Sequence, residues 1–281
     1  MASTAFQTQY RQEFIAAFEQ RQALLRDTVT TEAVIKGNTA TFLVAGSGSA
    51  TAVTRGVDGL IPSRHDDLTQ TSATLVEWHD LVRKNQFNVT NSQGNQRAIM
   101  QQTSMAVVNR KIDSDILTEL LTGTVTWGDA TTASLAAVMV ALTKLGNAGV
   151  PLDSNVSAVI SPAFHAYLAQ TKEFASVEYV SSKPTDGNDL AWRDRPMNYR
   201  WQGVNWIVHP NISGVATATE RCFMYHKSAI GHAFNTENIE SEADYDREQA
   251  YSWARTSIHM GAALLQNTGV VEMSHDGSAF G

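Results

Sequence analysis

Two short stretches of the sequence carry residue types that bind metal ions or phosphate. His65, Asp66 and Asp67 are consecutive metal-type ligands, but neighbours on a strand point to opposite faces and rarely ligate one ion together. The Gly-Ser-Gly-Ser stretch at 46–49 lacks the spacing of a P-loop or of a dinucleotide-binding loop, and no helix signal follows it directly. We therefore predict a solvated loop and a flexible turn, with no metal and no cofactor.

Two further stretches have features of catalytic or nucleic-acid sites. A serine hydrolase places its nucleophile on a strained turn between a strand and a helix, but Ser161 directly precedes Pro162, where a helix cap is expected. Residues 192–201 mix arginines with tryptophan and tyrosine, as single-strand nucleic-acid sites do. Asp186 and Asp189 dilute the positive field there. We interpret Ser161 as a cap and 192–201 as a polar loop, and we predict no catalytic residue.

The composition is that of a folded chain with few charges. The 281 residues are 43% hydrophobic, which suffices for a large core in one irregular domain or in two compact ones. Charged residues make up 17%, below the roughly one quarter that is usual, so much of the surface is uncharged and suits burial between subunits. The net charge of −7 argues against a chain whose main task is to grip phosphate backbones.

Cysteine content and hydropathy exclude further classes. Cys222 is the only cysteine and lies among apolar residues, which excludes an intrachain disulfide framework and a cysteine-based zinc cluster and predicts a small buried side chain. No apolar run approaches the roughly 20 residues that cross a bilayer, and the amino terminus lacks the apolar segment of a signal peptide. We expect a protein that is made in the cytosol and has no membrane partner.

An amphipathic helix is predicted at the amino terminus. Its aromatic residues recur at steps of three or four positions, with Gln, Arg and Glu between them. The helix either packs on its own domain or is an arm that clasps another subunit, because an aromatic stripe that precedes any core would otherwise be exposed. The stripe consists of Phe6, Tyr10, Phe14 and Phe18.

A β-rich stretch follows, in which β-branched residues alternate with glycines. Residues 39–49 and 53–62 are predicted as strands broken by turns, and 69–76 as a limb that returns antiparallel to the first. This two-stranded excursion has too few large apolar residues for its own core, so we expect it to need a partner surface. Its predicted contact residues are Val53, Val57, Leu60 and Ile61, with Arg55 and Arg64 at the rim.

Helical signals then dominate. One long helix is predicted from about Asn91 to Leu121, with Gly123 as its stop, and at about 1.5 Å per residue it exceeds ~40 Å. A second helix, capped by Asp129 or Thr131 and closed by Gly146, precedes the strand Val156–Ile160. The remaining predictions are a helix opened by Ser161 and Pro162, strands at 204–208 and 222–225, and extended runs at 238–247 and 249–259.

This order of parts resembles the Hong Kong 97-type capsid proteins of tailed phages over nearly the whole chain. The most similar stretches are 41–46, 108–117 and 225–233. The resemblance implies an α+β fold with an N-terminal arm, an extended β-hairpin loop, a long spine helix in a peripheral domain and a mixed α/β axial domain. The implied boundaries are 1–34 for the arm, 35–80 for the extended loop and flanking strands, 81–128 for the peripheral domain with the spine helix, 129–236 for the axial domain and 237–281 for returning peripheral strands.

The resemblance also implies a function. We expect a non-enzymatic major capsid protein that assembles with itself, as pentamers and hexamers, into an icosahedral head around loosely held double-stranded DNA. Expected partners are a scaffolding protein during assembly, a portal protein at one vertex and decoration proteins. Two alternatives stay open: an encapsulin-type nanocompartment shell, and a soluble α/β hydrolase or binding protein.

Overall fold

The structure is a computed structural model that describes residues 23–31, 34–47, 50–64, 67–85, 96–175, 198–235 and 240–280. The predicted amino-terminal helix, His65, Asp66 and residues 192–195 lie outside these ranges. The helices and strands, numbered in chain order, are β1 (Val34–Lys36), β2 (Thr39–Gly46), β3 (Asp67–Thr74), β4 (Val76–Asn85), α1 (Gln96–Leu120), α2 (Leu135–Asn147), β5 (Val156–Ile160), α3 (Pro162–Ala169), α4 (Lys172–Ala175), β6 (Asn198–Trp201), β7 (Val204–Val208), β8 (Glu220–His226), β9 (Ile230–Phe234), β10 (Glu240–Asp246), β11 (Tyr251–Leu264) and β12 (Val270–His275).

Two compact units share the chain. One is built from Glu77–Lys111 and Thr236–His259, and the other from Leu24–Val76, Ile112–Asn235 and Met260–Gly281. The boundary between them falls within helix α1 and within strand β11. The range 237–281, predicted as returning peripheral strands, is therefore divided, because β12 belongs to the sheet of the second unit.

A five-stranded sheet with the order β12-β8-β5-β7-β6 is the core of the second unit. Strands β5 and β7 are parallel and the other neighbours are antiparallel. Every residue of β5, including Ser157, is buried, as expected for a mainly apolar strand that is covered on both faces. The predicted strands at 156–160, 204–208 and 222–225 are thus confirmed.

Helix caps were predicted at one position correctly and at another wrongly. The Ser161 hydroxyl accepts a hydrogen bond from Phe164 N and caps α3, as predicted. Helix α2 is capped by Ser134 and not by Asp129 or Thr131, because Thr131 N donates to Ser274 O and its own carbonyl accepts from Asp276 N. These bonds hold Thr131 extended beside β12, so the helix begins later.

Helix α2 also ends later than predicted. It continues through Gly146 to Asn147, and the chain leaves it at Gly149, whose φ of 74° lies in the left-handed region that favours glycine. In contrast, Gly123 was correctly predicted to follow the end of α1, since its N–H donates to Leu120 O at 3.1 Å. The predicted start of α1 near Asn91 lies outside the described residues.

Aromatic side chains fill the interior near β6 and β7. Trp206 is fully buried, with ring centroids of Phe164, Tyr199 and Trp201 at about 6 Å from its own. Tyr199 and Trp201 are 5% and 2% exposed, so they cannot stack on a nucleic-acid base. This part of the 192–201 stretch belongs to the core, and our interpretation of it as a polar loop was wrong for these two residues.

The β-hairpin was predicted correctly at its base and wrongly at its tip. Strands β2 and β3 pair antiparallel over their whole length, from Thr39 with Thr74 to Gly46 with Asp67. Residues 50–64 between them contain no strand, although 53–62 was predicted as one. The described part of the chain offers a strand there no neighbour with which to form a ladder, and Pro62 removes one donor.

The first unit contains a sheet with the order β10-β11-β4. The extended run predicted at 249–259 lies largely in β11, where Ser252 and Ala254 are buried and Tyr251, Trp253 and Arg255 are partly exposed. Residues Met260–Leu264 of β11 belong to the second unit and pair antiparallel with β9.

Candidate assembly surfaces

Residues 50–64, which we call the loop, expose apolar side chains that soluble chains usually bury. Val53, Leu60 and Ile61 are 61%, 73% and 65% exposed, and Val57 is fully exposed. Arg55 and Arg64 are also exposed. Single exposed apolar residues are ordinary, but several on one loop indicate a contact surface.

Backbone hydrogen bonds shape the loop. Gly56 N donates to Leu60 O at 3.0 Å, and Gly59 N donates to Gly56 O at 2.9 Å. Gly59 has a φ of 74°, which a residue with a side chain adopts only at a cost. The turn so formed displays Val57 at its tip.

The base of the hairpin packs on strand β9 within the second unit. Phe42 is 2% exposed, and a Cβ atom on Gly231 would lie 2.7 Å from its ring. Only glycine therefore allows β9 to approach this ring so closely. Further along the hairpin, Leu43 and Leu68 are 67% and 72% exposed. The core cluster at the base consists of Ala40, Phe42, Ala73, Leu75, Ala233 and Ala263.

A buried carboxylate holds the segment that follows the amino-terminal residues. Asp113 of α1 accepts hydrogen bonds from Leu24 N and Leu25 N, each at 3.0 Å, and from His209 Nε2 at 3.4 Å. The His209 Nδ1 atom accepts from Asn211 N, so Nε2 carries the hydrogen and donates to Asp113. We call Asp113, His209, Leu24 and Leu25 the Asp113 cluster. It fixes the position of the backbone at Leu24 and Leu25.

A second buried carboxylate, Glu220, binds Ser161, the serine that was weighed above as a hydrolase nucleophile. It accepts from the Ser161 hydroxyl, from His275 Nδ1 at 2.6 Å and from Ala216 N at 2.8 Å. Glu220, Ser161 and His275 are completely buried. Catalysis by a serine requires its hydroxyl to face a base and a substrate; here it faces a carboxylate inside the core. The arrangement joins β8, β12 and α3 and is structural.

Sequence reasoning missed both carboxylates. The available signal was an acidic residue in an apolar segment, Glu220 at the start of β8 and Asp113 beside Ile112. The partners of both carboxylates lie far away in the sequence. For Glu220, the pairing of β8 with β12 places His275 beside it.

Burial changes the pKa of two other groups in the second unit. Desolvation raises the pKa of the Cys222 thiol to about 12, and the residue is buried as predicted. Desolvation and the charge of Arg26 lower the pKa of His232 to about 4, although Asp113 acts in the opposite direction. Neither ring nitrogen of His232 has a hydrogen-bond partner in the described part of the chain.

Comparison with known proteins identifies the family of the chain. A sequence model of the family described as "Phage capsid protein" matches residues 2–277. The chain belongs to this phage capsid protein family. No curated protein sequence matches the capsid protein.

Solved structures share the fold of the capsid protein. A chain of Mycobacterium phage Che8 is 17% identical with a TM-score of 0.66, covering 93% of this chain and 97% of that one. The capsid of Ralstonia phage GP4 is 10% identical with a TM-score of 0.67 and 98% coverage of both chains. The capsid of a native GTA particle is 14% identical with a TM-score of 0.66, covering 94% and 93%. The capsid protein thus has the mixed α and β architecture of phage capsids, as predicted.

The aromatic stripe from Phe6 to Phe18 lies outside the described residues. Across the ranges that the structure covers, no group of three His, Cys, Asp or Glu residues is placed to hold a metal ion. None of the described helices is both long and apolar enough to span a bilayer.

Proposed function

We propose that this capsid protein assembles with copies of itself, as pentamers and hexamers, into the closed icosahedral head that encloses the double-stranded DNA of a tailed phage. The observation that carries the proposal is the loop: its exposed valine, leucine and isoleucine side chains extend from a hairpin whose base is packed on Gly231. A fixed base with exposed apolar side chains at its end suits a subunit that completes its burial on a neighbouring copy.

In this proposal the loop packs over the neighbouring subunit. Val53, Val57, Leu60 and Ile61 enter the contact, and each side chain that becomes fully buried contributes about 1.5–3 kcal/mol before the cost of ordering the loop. Arg55 and Arg64 pair with charges at its rim and set the register.

The amino-terminal aromatic stripe is the second proposed contact. Phe6, Tyr10, Phe14 and Phe18 would pack against another subunit. Support comes from the spacing of the aromatic residues in the sequence and from the way in which the Asp113 cluster fixes the chain at Leu24 and Leu25.

The remaining assignments complete the proposal. Residues 35–80 form the extended loop with its flanking strands, 81–128 the peripheral domain and 129–236 the axial domain. The protein is made in the host cytoplasm, has no catalytic activity and works with a scaffolding protein, a portal protein and decoration proteins. Because the net charge is −7, DNA would be held weakly and released by salt. The family match favours this function over a nanocompartment shell and over a hydrolase.

The loop proposal is tested by replacing residues 48–66 with a short Gly-Ser linker. We expect a soluble subunit with near-normal helix content that forms no regular shells by electron microscopy, because the loop contributes to contacts between copies but not to the core. A point-substituted version changes Val53, Val57, Leu60 and Ile61 to serine and keeps the loop length. Its control changes Thr51 and Thr54 to serine and should assemble normally. Abundant regular shells from the loopless chain, or a chain that no longer folds, would contradict the proposal.

The amino-terminal contact is tested with Phe14→Asp. A charge in the aromatic stripe should reduce the yield of shells at least tenfold while lowering the melting temperature of the unassembled subunit by only a few degrees. Gln12→Asp adds the same charge to the same segment at a polar position and serves as control. Equal damage to assembly and to subunit stability would mean that the segment packs within its own chain.

A further inference from the structure

Helix α2 carries apolar side chains on its outer face as well as on its inner face. Val138, Ala141 and Leu145 are buried, whereas Met139 and Val140 are each 43% exposed. A helix at the surface of a soluble domain normally has charged or polar residues on its outer face. Between residues 131 and 152 the only charged side chain is Lys144.

A groove continues this outer face. It has a volume of about 300 Å³ and lies between α2 and the turn from β6 to β7. Leu152 lines it and is 57% exposed. The opposite wall is the turn at Gln202 and Gly203, whose φ values of 53° and 78° are both in the left-handed region. We call the following residues the α2 face: Met139, Val140, Leu142, Thr143, Leu152 and Val204.

The charged groups at the margins of the α2 face are engaged within the chain. Lys144 Nζ donates to the carbonyl of Thr126. Asp153 lines the groove, where it accepts from Asn155 N at 2.8 Å and from His226 Nε2 at 3.3 Å, and the bonds from Asn155 lower the pKa of this carboxyl. The surface therefore offers no ready cation to a phosphate backbone, and its one carboxylate is already hydrogen-bonded within the chain.

We propose that the α2 face packs against a neighbouring copy of this chain in the assembled shell, at a contact separate from the loop. The argument for a second copy is electrostatic. Two subunits that each carry a net charge of −7 repel one another, so they approach most readily through surfaces without charge. The six residues of the α2 face carry no charge, and desolvating their apolar side chains favours association. The inference rests on the proposed function in requiring a shell of identical chains.

The first test places a charge in the α2 face. Met139→Glu should lower the yield of regular shells at least tenfold, and Met139→Leu, which keeps the apolar side chain, should assemble like the parent protein. Shells from Met139→Glu at the parent yield would overturn this inference and leave the proposed function standing. If the parent chain forms no shells even when it is expressed with its scaffolding protein, the proposed function fails first.

The second test does not depend on the folding of a charged variant. Cys222 is the only cysteine and is buried, so Met139→Cys introduces one reactive thiol. The shells are broken by sonication into fragments, so that iodoacetamide reaches both the inner and the outer surface of the shell. We expect alkylation of residue 139 to be at least tenfold slower in shell fragments than in free subunits, with Ala218→Cys, in an exposed turn of the same unit, showing that the reagent has access. Equal rates at residue 139 would overturn the inference.

Discussion

Replacing Asp113 by alanine removes the carboxylate that fixes Leu24 and Leu25 to helix α1. Two backbone N–H groups, each 3.0 Å from a carboxylate oxygen, lose their acceptor. Because Asp113 and Leu25 are fully buried, water does not readily replace the lost oxygen atoms. We expect the free energy of unfolding to fall and the backbone at Leu24 and Leu25 to lose its attachment to helix α1.

The magnitude follows from the number and quality of these bonds. A hydrogen bond to a charged acceptor contributes about 1.5–3 kcal/mol, so two contribute about 3–6 kcal/mol. The contact with His209 Nε2, at 3.4 Å, is long and adds little. Alanine recovers about 0.5 kcal/mol through its helix propensity and avoids the desolvation of a buried charge. The expected net loss is about 2–5 kcal/mol.

Urea unfolding of the unassembled subunit, followed by circular dichroism, measures this loss as a shift of the midpoint at constant slope. Asp113→Asn keeps one oxygen acceptor and should lose about half as much. Ser114→Ala, at the exposed neighbouring position, controls for helix propensity. A loss below about 1 kcal/mol for Asp113→Ala, or one equal to that of Ser114→Ala, would refute the reasoning.

Two further predictions concern buried titratable groups. The folded-state pKa of His232 is about 4 against 6.5 for an ordinary histidine, so the unfolded chain takes up the proton first. The stability that this group gives above pH 6.5 is lost as the pH falls toward 4, by up to about 3 kcal/mol. His232→Leu should remove this part, and a difference in unfolding free energy between variant and parent that is the same at pH 7 and pH 4.5 would contradict it. Cys222, with its pKa raised to about 12, should react with iodoacetamide at least about a hundredfold more slowly in the folded chain than in urea; labelling at equal rates would show an open site.

Local patterns in the sequence were sufficient for several elements. Strand β5 is a mainly apolar run that contains one serine, Ser157, and α3 begins at a serine followed by proline. The extended run predicted at 249–259 lies largely in β11. These elements could be predicted because neighbours along the chain determine their backbone geometry and the face that each side chain occupies.

Predictions failed where a distant segment changed the local structure. Thr131 has the chemistry of a helix cap, but Ser274 and Asp276 bind its backbone, so Ser134 caps the helix instead. Residues 53–62 have the composition of strands, but the described chain offers them no partner strand. In both places local propensity gives the conformation that the residues favour. It does not say which distant segments bind their backbone groups.

The sequence by itself therefore determined the fold family, the positions of most strands and helices, and the apolar content of the loop. Only the tertiary structure decided that Asp113 meets Leu24 and Leu25, and that Glu220 meets Ser161 and His275. The physical reason is sequence separation. Residues that lie tens or hundreds of positions apart come together only when the strands pair in one order and register. The local sequence around each residue does not specify that pairing.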